Sequence, residues 1–432
     1  MSEANSWITP ADPAKAASAR ARSTLLGVTE FDAYALEFVE DPYPTYARFR
    51  AERPVFFDEH WDVTFFARHA DVSGILRDRR FGRDVRSRVP EDEIDADVLR
   101  RTYPPDIPTW TEYVRDSFID LEPPAHTRIR RLVQWAFTRK ASESYRPRLE
   151  EVAARSIDLA LERGGMEAIA DFATPIPLVM IADLLGIPPA DQPMLVAWSH
   201  AMVRPFDADC PPADRVAAEQ ATRDFVAYLT DLTRDRRERP GSDLLTELVA
   251  AEFEGDRLSE QEVVATAILT LNAGHEATVQ AIGNGLLALA RHPDQFEALK
   301  VDPDLVTPAA SEILRFDTPL QMFERWVLED VEWNGTPLRR GSKVGLFFGS
   351  ANHDEEVFAD PEIFDIARDS RAHLAFGAGI HHCVGAPLAK LELEVAMEAV
   401  RRLPRLVLVD EDFERVPSLV FRGVKELRLA VG

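Results

Sequence analysis

The most specific chemistry in this chain lies in ten consecutive residues, FGAGIHHCVG, from Phe376 to Gly385. Three glycines, Gly377, Gly379 and Gly385, bracket one cysteine, Cys383. Glycine is needed where the backbone takes a positive φ or must approach another group closely. The run that follows, APLAKLELEVAMEAVRRL, sets Leu388, Leu391 and Val395 on one helical stripe, so Cys383 falls in a tight loop at a helix N-terminus. The helix dipole and free N–H groups there favour a thiolate, which in a glycine frame suits a soft metal ligand. A nucleotide-phosphate loop would need G-x-G-x-x-G or G-x-x-x-x-G-K-S/T, and neither spacing is present. A zinc cage could draw on His373, His381, His382 and Cys383, but adjacent His-His-Cys is poor tetrahedral geometry and no second cysteine lies nearby. A buried structural cysteine is the simpler reading of a lone thiol; the complete glycine frame argues against it.

Charged pairs at helical spacing accompany the loop. In EPPAHTRIRR, His126 and Arg130 are four apart and share a helical face; a solvated basic helix start is the alternative. Glu312 and Arg315 stand three apart on a helix announced by Thr307 and Pro308 as N-cap and first residue. The same spacing recurs at Glu143/Arg146 and Glu398/Arg401, and such pairs are commonly solvated contacts worth a few tenths of a kcal/mol.

The elements that must position these groups are mainly helical. From about residue 124 to 300 the apolar spacing is that of helices. Ser259 and Glu262 have capping-box spacing, and the pattern then runs without proline to Pro293, spanning about 50 Å. Its centre, AILTLNAGHEATVQAIGNGLLALA, is apolar on nearly all sides and should cross the interior. A membrane span is the rival; His275 and Glu276 at its middle, without a basic flank, argue against it. VFF (55–57) and VTFF (63–66) read as a β-hairpin, a further helix is expected over 387–402, and strands over 406–409, 419–421 and 426–431. The fold class is therefore mainly α with small β-sheets (α+β), one large helical body around a long central helix. Residues 1–35 read as a flexible arm and 36–432 as a single domain.

Composition narrows the function. A chain of 432 residues, 46% hydrophobic and 29% charged, is neither disordered nor fibrous. Its formal charge of −24 repels phosphate backbones and anionic lipid, so neither nucleic acid nor a membrane is expected as a partner. Cys210 and Cys383 cannot build a disulfide framework, and no apolar stretch near the start suits a signal peptide. The expectation is a soluble, cytoplasmic protein.

The decapeptide resembles the haem-binding loop of cytochromes P450, F-G-x-G-x-H-x-C-x-G, at all six fixed positions. The resemblance, which extends over roughly residues 40 to 432, implies the cytochrome P450 fold and haem b (iron-protoporphyrin IX), with Cys383 as axial thiolate and Phe376 and Gly377 in the cradle. It implies that His381, His126, Arg130, Arg325 and His373 meet the haem propionates. It also implies that Glu312 and Arg315 form a buried structural pair joined by Arg368. Thiolate ligation favours O–O cleavage, so the implied activity is insertion of one oxygen atom from O2 into a lipophilic small molecule. Electrons would come from a separate ferredoxin and its NAD(P)H-dependent reductase, docking near Arg131, Arg139 and Lys140. A peroxygenase, a rearrangement or dehydration catalyst, and a haem-binding sensor or carrier without turnover are the alternatives.

Oxygen activation needs protons in a dry pocket. In AGHEAT, small Ala273 and Gly274 leave room over a flat macrocycle, Glu276 is the candidate relay, and His275 should face away and pack. The family sets a threonine directly after this acid; here Ala277 takes that place and Thr278 follows. One residue is about 100° of helix, so Thr278 cannot simply substitute. A substrate hydroxyl or ordered water would have to serve, and chemistry other than monooxygenation stays open. By resemblance the substrate is lined by Trp110, Tyr113, the 194–206 segment, Leu271, Leu320, Met322, Phe323, Leu419 and Val420, which are mostly apolar.

Overall fold

Ser259 does cap the central helix. Its hydroxyl accepts the Glu262 N–H at 3.2 Å while the Glu262 carboxylate accepts the Ser259 N–H at 2.8 Å. In this computed structural model, which describes residues 31–206, 210–253 and 255–432, the helix then runs from Glu260 to Arg291. Ala267, Ile268, Leu271, Ile282, Leu286 and Leu289 are among its buried side chains. Two glycines let neighbours come close: a Cβ at Gly274 would stand 2.6 Å from Ile181, and one at Gly285 2.8 Å from Ile313. Helices Pro175–Leu185, Pro212–Glu238, Val306–Phe316 and Ala386–Val400 pack around this axis. Among the described residues, no helix is long and apolar enough to cross a membrane.

The β structure sits to one side. A five-stranded sheet has the order Val55–Asp58, Val63–Phe66, Lys343–Phe347, Met322–Val327 and Phe81–Gly82. The first pair is the expected hairpin, with Phe56 opposite Phe65. Met322–Val327 pairs antiparallel with Lys343–Phe347, which places Leu320, Met322 and Phe323 at the edge of the cavity described below.

Several boundaries differ from expectation. The strand expected at 419–421 is only a bridge between Leu320 and Phe421. Gly165–Glu167, unforeseen because three residues carry no readable alternation, pairs with Arg428–Ala430. Thr307 and Pro308 do not start their helix; it begins at Val306, after a short turn capped by Asp302, and the Thr307 hydroxyl bonds Glu394 at 3.1 Å. Residues 1–30 of the expected arm lie outside the described residues. At 31–35 the chain is packed: Ala33 is buried, and the Phe31 ring meets Phe38 and Phe49 edge-on at 5.0 and 5.5 Å. The packed chain therefore reaches further towards the N-terminus than residue 36.

Candidate active site

The cysteine loop is closed by the Cys383 N–H bonding the Phe376 carbonyl at 3.0 Å. Gly377 and Gly379 take φ of 64° and 72°, and a Cβ at Gly379 would strike the Leu76 backbone. Gly385 differs: its φ is −81°, and only the Cys383 sulfur, at 3.9 Å, lies within reach of a Cβ there. Neither strain nor protein crowding requires that glycine; its bareness leaves space beside the sulfur. Cys383 opens onto a cavity of about 330 Å³. Burial pushes its thiol above the ordinary value, against the Gly385 and Ala386 N–H groups and the Arg130 charge. A metal cation at the sulfur is what would hold it as the expected thiolate.

Cationic and donor groups face the same cavity with unspent capacity. His126 and Arg130 lie on helix Ala125–Val133, one turn apart as expected, and both line the cavity. Neither ring nitrogen of the buried His126 has a partner among the described residues, and burial pushes its pKa down to about 4. The His381 ring lies 4.4 Å away, with Nε2 3.2 Å from Glu122 and Nδ1 unpartnered among the described residues. Arg130 donates to the His382 carbonyl at 2.7 Å. Arg325, 4% exposed, forms no ion pair among the described residues, and burial together with nearby Arg83 pushes its pKa down to about 9. A buried guanidinium beside orphaned imidazoles calls for an anion. With a thiol and a bare glycine on the same wall, the set fits haem b and its propionates. His373 does not join it. Its Nδ1 accepts the Ala375 N–H at 3.2 Å, so it braces the loop instead of lining the cavity.

The frame behind the loop is as expected. Glu312 and Arg315 are fully buried and doubly bonded at 2.7 Å, and Arg368 reaches Glu312 at 3.3 Å. Arg315 also ties the Asn352 and Pro361 carbonyls at 3.0 and 2.8 Å, anchoring the segment that leads to the cysteine loop.

On the central helix Ala273, Gly274, Ala277 and Thr278 line the cavity, but Glu276 does not. It turns to the helix Gln192–Val203, its Oε1 3.1 Å from His200 Nε2. Gly274 is bare partly for Ile181, so its small size serves helix packing as well as the cavity. Leu320, Met322, Phe323, Leu419 and Val420 line the cavity; Trp110, Tyr113 and Leu271 do not. Trp110 is instead buried, donating to the Met202 carbonyl at 2.8 Å, and Val114 and Phe118 take its expected place, while Val203 and Phe206 of the expected 194–206 segment do line the cavity. Sequence reasoning passed over Glu392, which lines the cavity at 2% exposure. Burial lifts its pKa to about 8, against the Thr278 hydroxyl. The signal was present: Glu392 stands one turn after Leu388 on an otherwise apolar stripe.

Comparison with known proteins gives a consistent picture. The family pattern "Cytochrome P450" matches residues 200–403. The chain is 37% identical to the cytochrome P450 monooxygenase PikC of Streptomyces venezuelae, over 93% of each chain. It is also 37% identical to the vitamin D(3) 25-hydroxylase of Pseudonocardia autotrophica, over 95% of this chain and 98% of that one. The crystal structure of P450BioI in complex with hexadec-9Z-enoic acid ligated acyl carrier protein superposes with a TM-score of 0.84. It is 31% identical, covering 93% of this chain and all of that one.

Proposed function

The chain belongs to the cytochrome P450 family, and on that premise we propose how its own residues serve oxygen insertion and what they act upon. It is a haem-thiolate monooxygenase of lipophilic small molecules. Haem b, when bound, supplies reductive activation of O2 and transfer of one oxygen atom. Cys383 would hold the iron, Arg130 and Arg325 would offset the propionate charge, and the uncharged His126 and His381 rings would donate hydrogen bonds to it. The observation that carries this reading is a single cavity wall that joins the glycine-framed thiol to buried, unmatched cationic groups.

Val114, Phe118, Phe206, Leu320, Met322 and Leu419 orient the substrate by apolar contact and exclude water. The substrate is a long or polycyclic lipophile, of the fatty-acyl, polyketide or steroid class. Proton delivery departs from the usual pattern. Glu276 is turned away and Ala277 offers no hydroxyl, whereas Thr278 and Glu392 both meet the cavity. Glu392, neutral at pH 7, holds a proton at a carboxyl that lines the same cavity as the Thr278 hydroxyl and can give it up there. A substrate hydroxyl or a water ordered by the substrate completes the path. Electrons come from a ferredoxin and its NAD(P)H-dependent reductase in the cytoplasm, docking at exposed Arg131, Arg139 and Lys140.

The test is a substrate screen by the shift of the haem Soret band, followed by turnover with ferredoxin, reductase and NAD(P)H. One atom of labelled O2 in the product, with NAD(P)H consumed, is expected. Turnover with peroxide alone would overturn the proposal in favour of a peroxygenase.

A further inference from the structure

The carboxylate that has left the cavity has found other company. His275 follows the same helix one residue earlier and is 1% exposed, yet neither of its ring nitrogens has a hydrogen-bond partner among the described residues. Its Nδ1 is 3.6 Å from Glu276 Oε1, too long for a hydrogen bond. The same oxygen is 3.1 Å from Nε2 of His200, on helix Gln192–Val203, and makes no hydrogen bond of good geometry among the described residues. One ligand atom from each of the three residues lies within 4.8 Å of the other two. An imidazole buried with both nitrogens unsatisfied is costly unless something fills the space between.

We propose that His200, His275 and Glu276 form a binding site for a divalent transition metal of the zinc class, which clamps helix Gln192–Val203 to the central helix. Two imidazoles and a carboxylate are a common three-ligand set for zinc, with water in the fourth position. Tetrahedral bonds of about 2.0–2.1 Å place ligand atoms about 3.3 Å apart; the two carboxylate–imidazole separations, 3.1 and 3.6 Å, are already close to this, and the two imidazoles would close from at most 4.8 Å. Nitrogen donors select zinc, copper or nickel over magnesium and calcium, which take oxygen. His200 is largely exposed and gives the ion its access and its water; His275 and Glu276 are buried on a rigid element. The site draws on two helices, and Val203 at the end of the first and Phe206 in the turn just after it line the substrate cavity. Metal at this point therefore fixes the cavity roof and slows exchange of the molecule beneath it.

The test uses tag-free, chelator-treated, haem-loaded protein titrated with zinc chloride by calorimetry, with X-ray absorption read at the zinc edge. One saturable equivalent with imidazole nitrogens at about 2.0 Å is expected. His200→Ala, an exposed change, should weaken binding at least tenfold and leave the reduced-CO spectrum intact; Glu276→Gln should do the same. Zinc should also slow the Soret shift produced by 4-phenylimidazole in the wild type and not in His200→Ala. Absence of saturable zinc, or an equivalent unaffected by His200→Ala, overturns the site and marks the cluster as a water-bridged polar network. Zinc bound without slower ligand exchange overturns the clamp.

Discussion

Replacing Glu392 by Gln should make the protein more stable and a worse catalyst. The side chain is 2% exposed, and burial lifts its pKa from the ordinary 4.5 to about 8. Between these two values the unfolded chain has released the proton while the folded chain retains it. The folded state binds more protons, so stability falls as pH rises through that window. The wild-type contribution is fully present below pH 4.5 and lost by about 8. Each pH unit is worth about 1.4 kcal/mol, so the penalty is about 3 kcal/mol at pH 7 and saturates near about 5 kcal/mol. Glutamine has the same shape and no proton to lose. Urea unfolding at pH 5, 6, 7 and 8 should give a difference in unfolding free energy that is small at pH 5 and widens to about 3 kcal/mol at pH 7. Product formed per NAD(P)H should fall in the same variant, because the donor beside Thr278 is gone. Parallel pH profiles for the two proteins would refute the buried neutral carboxyl, and with it the relay.

Cys383→Ser should abolish the long-wave absorbance of the reduced CO complex; retention of that band would refute thiolate ligation. Glu312→Ala strands the buried Arg315 charge, costs about 3–5 kcal/mol and should leave little haem-loaded protein, which haem content and a melting curve will check. Arg325→Gln should lower haem retention during gel filtration more than Arg131→Gln does, since only Arg325 is buried facing the cavity. Ala277→Thr should raise product per NAD(P)H for poorly fitting substrates and do little for the native one; equal, high coupling throughout would mean that protons arrive by another route.

The helical framework and the glycine-framed cysteine loop were legible because they rest on local rules. A capping box, an unbroken apolar helix and three glycines around a cysteine each state their reason within a few residues. The buried Glu312–Arg315 pair was legible only through family resemblance, since its spacing recurs at Glu143/Arg146 and Glu398/Arg401, where both partners are partly exposed. Trp110, Tyr113 and Leu271 were misplaced because apolar type does not say which way a side chain turns. Trp110 looked like a lining residue, but its indole N–H is held by the Met202 carbonyl. His373 failed similarly: a histidine ten residues before the cysteine looked like an anion partner, and the loop's own backbone claims it. Glu392 was missed because a single carboxylate on an apolar stripe is easily taken for a surface residue at the stripe's edge; only its 2% exposure separates the two.

The displaced acid and the misplaced hydroxyl are one geometric fact. Glu276 and Thr278 are two residues apart, which on a helix is about 200°. They must face nearly opposite sides, so no single cavity can receive both. With Ala277 between them, the acid turns to His200 and the hydroxyl to the cavity, where the nearby acid is Glu392. A threonine at 277 would place its hydroxyl on the cavity wall that Ala277 already lines. The helix turns Glu276 to Gln192–Val203 whatever stands at 277, and the carboxyl that meets the cavity beside Thr278 is that of Glu392, on the helix that follows Cys383.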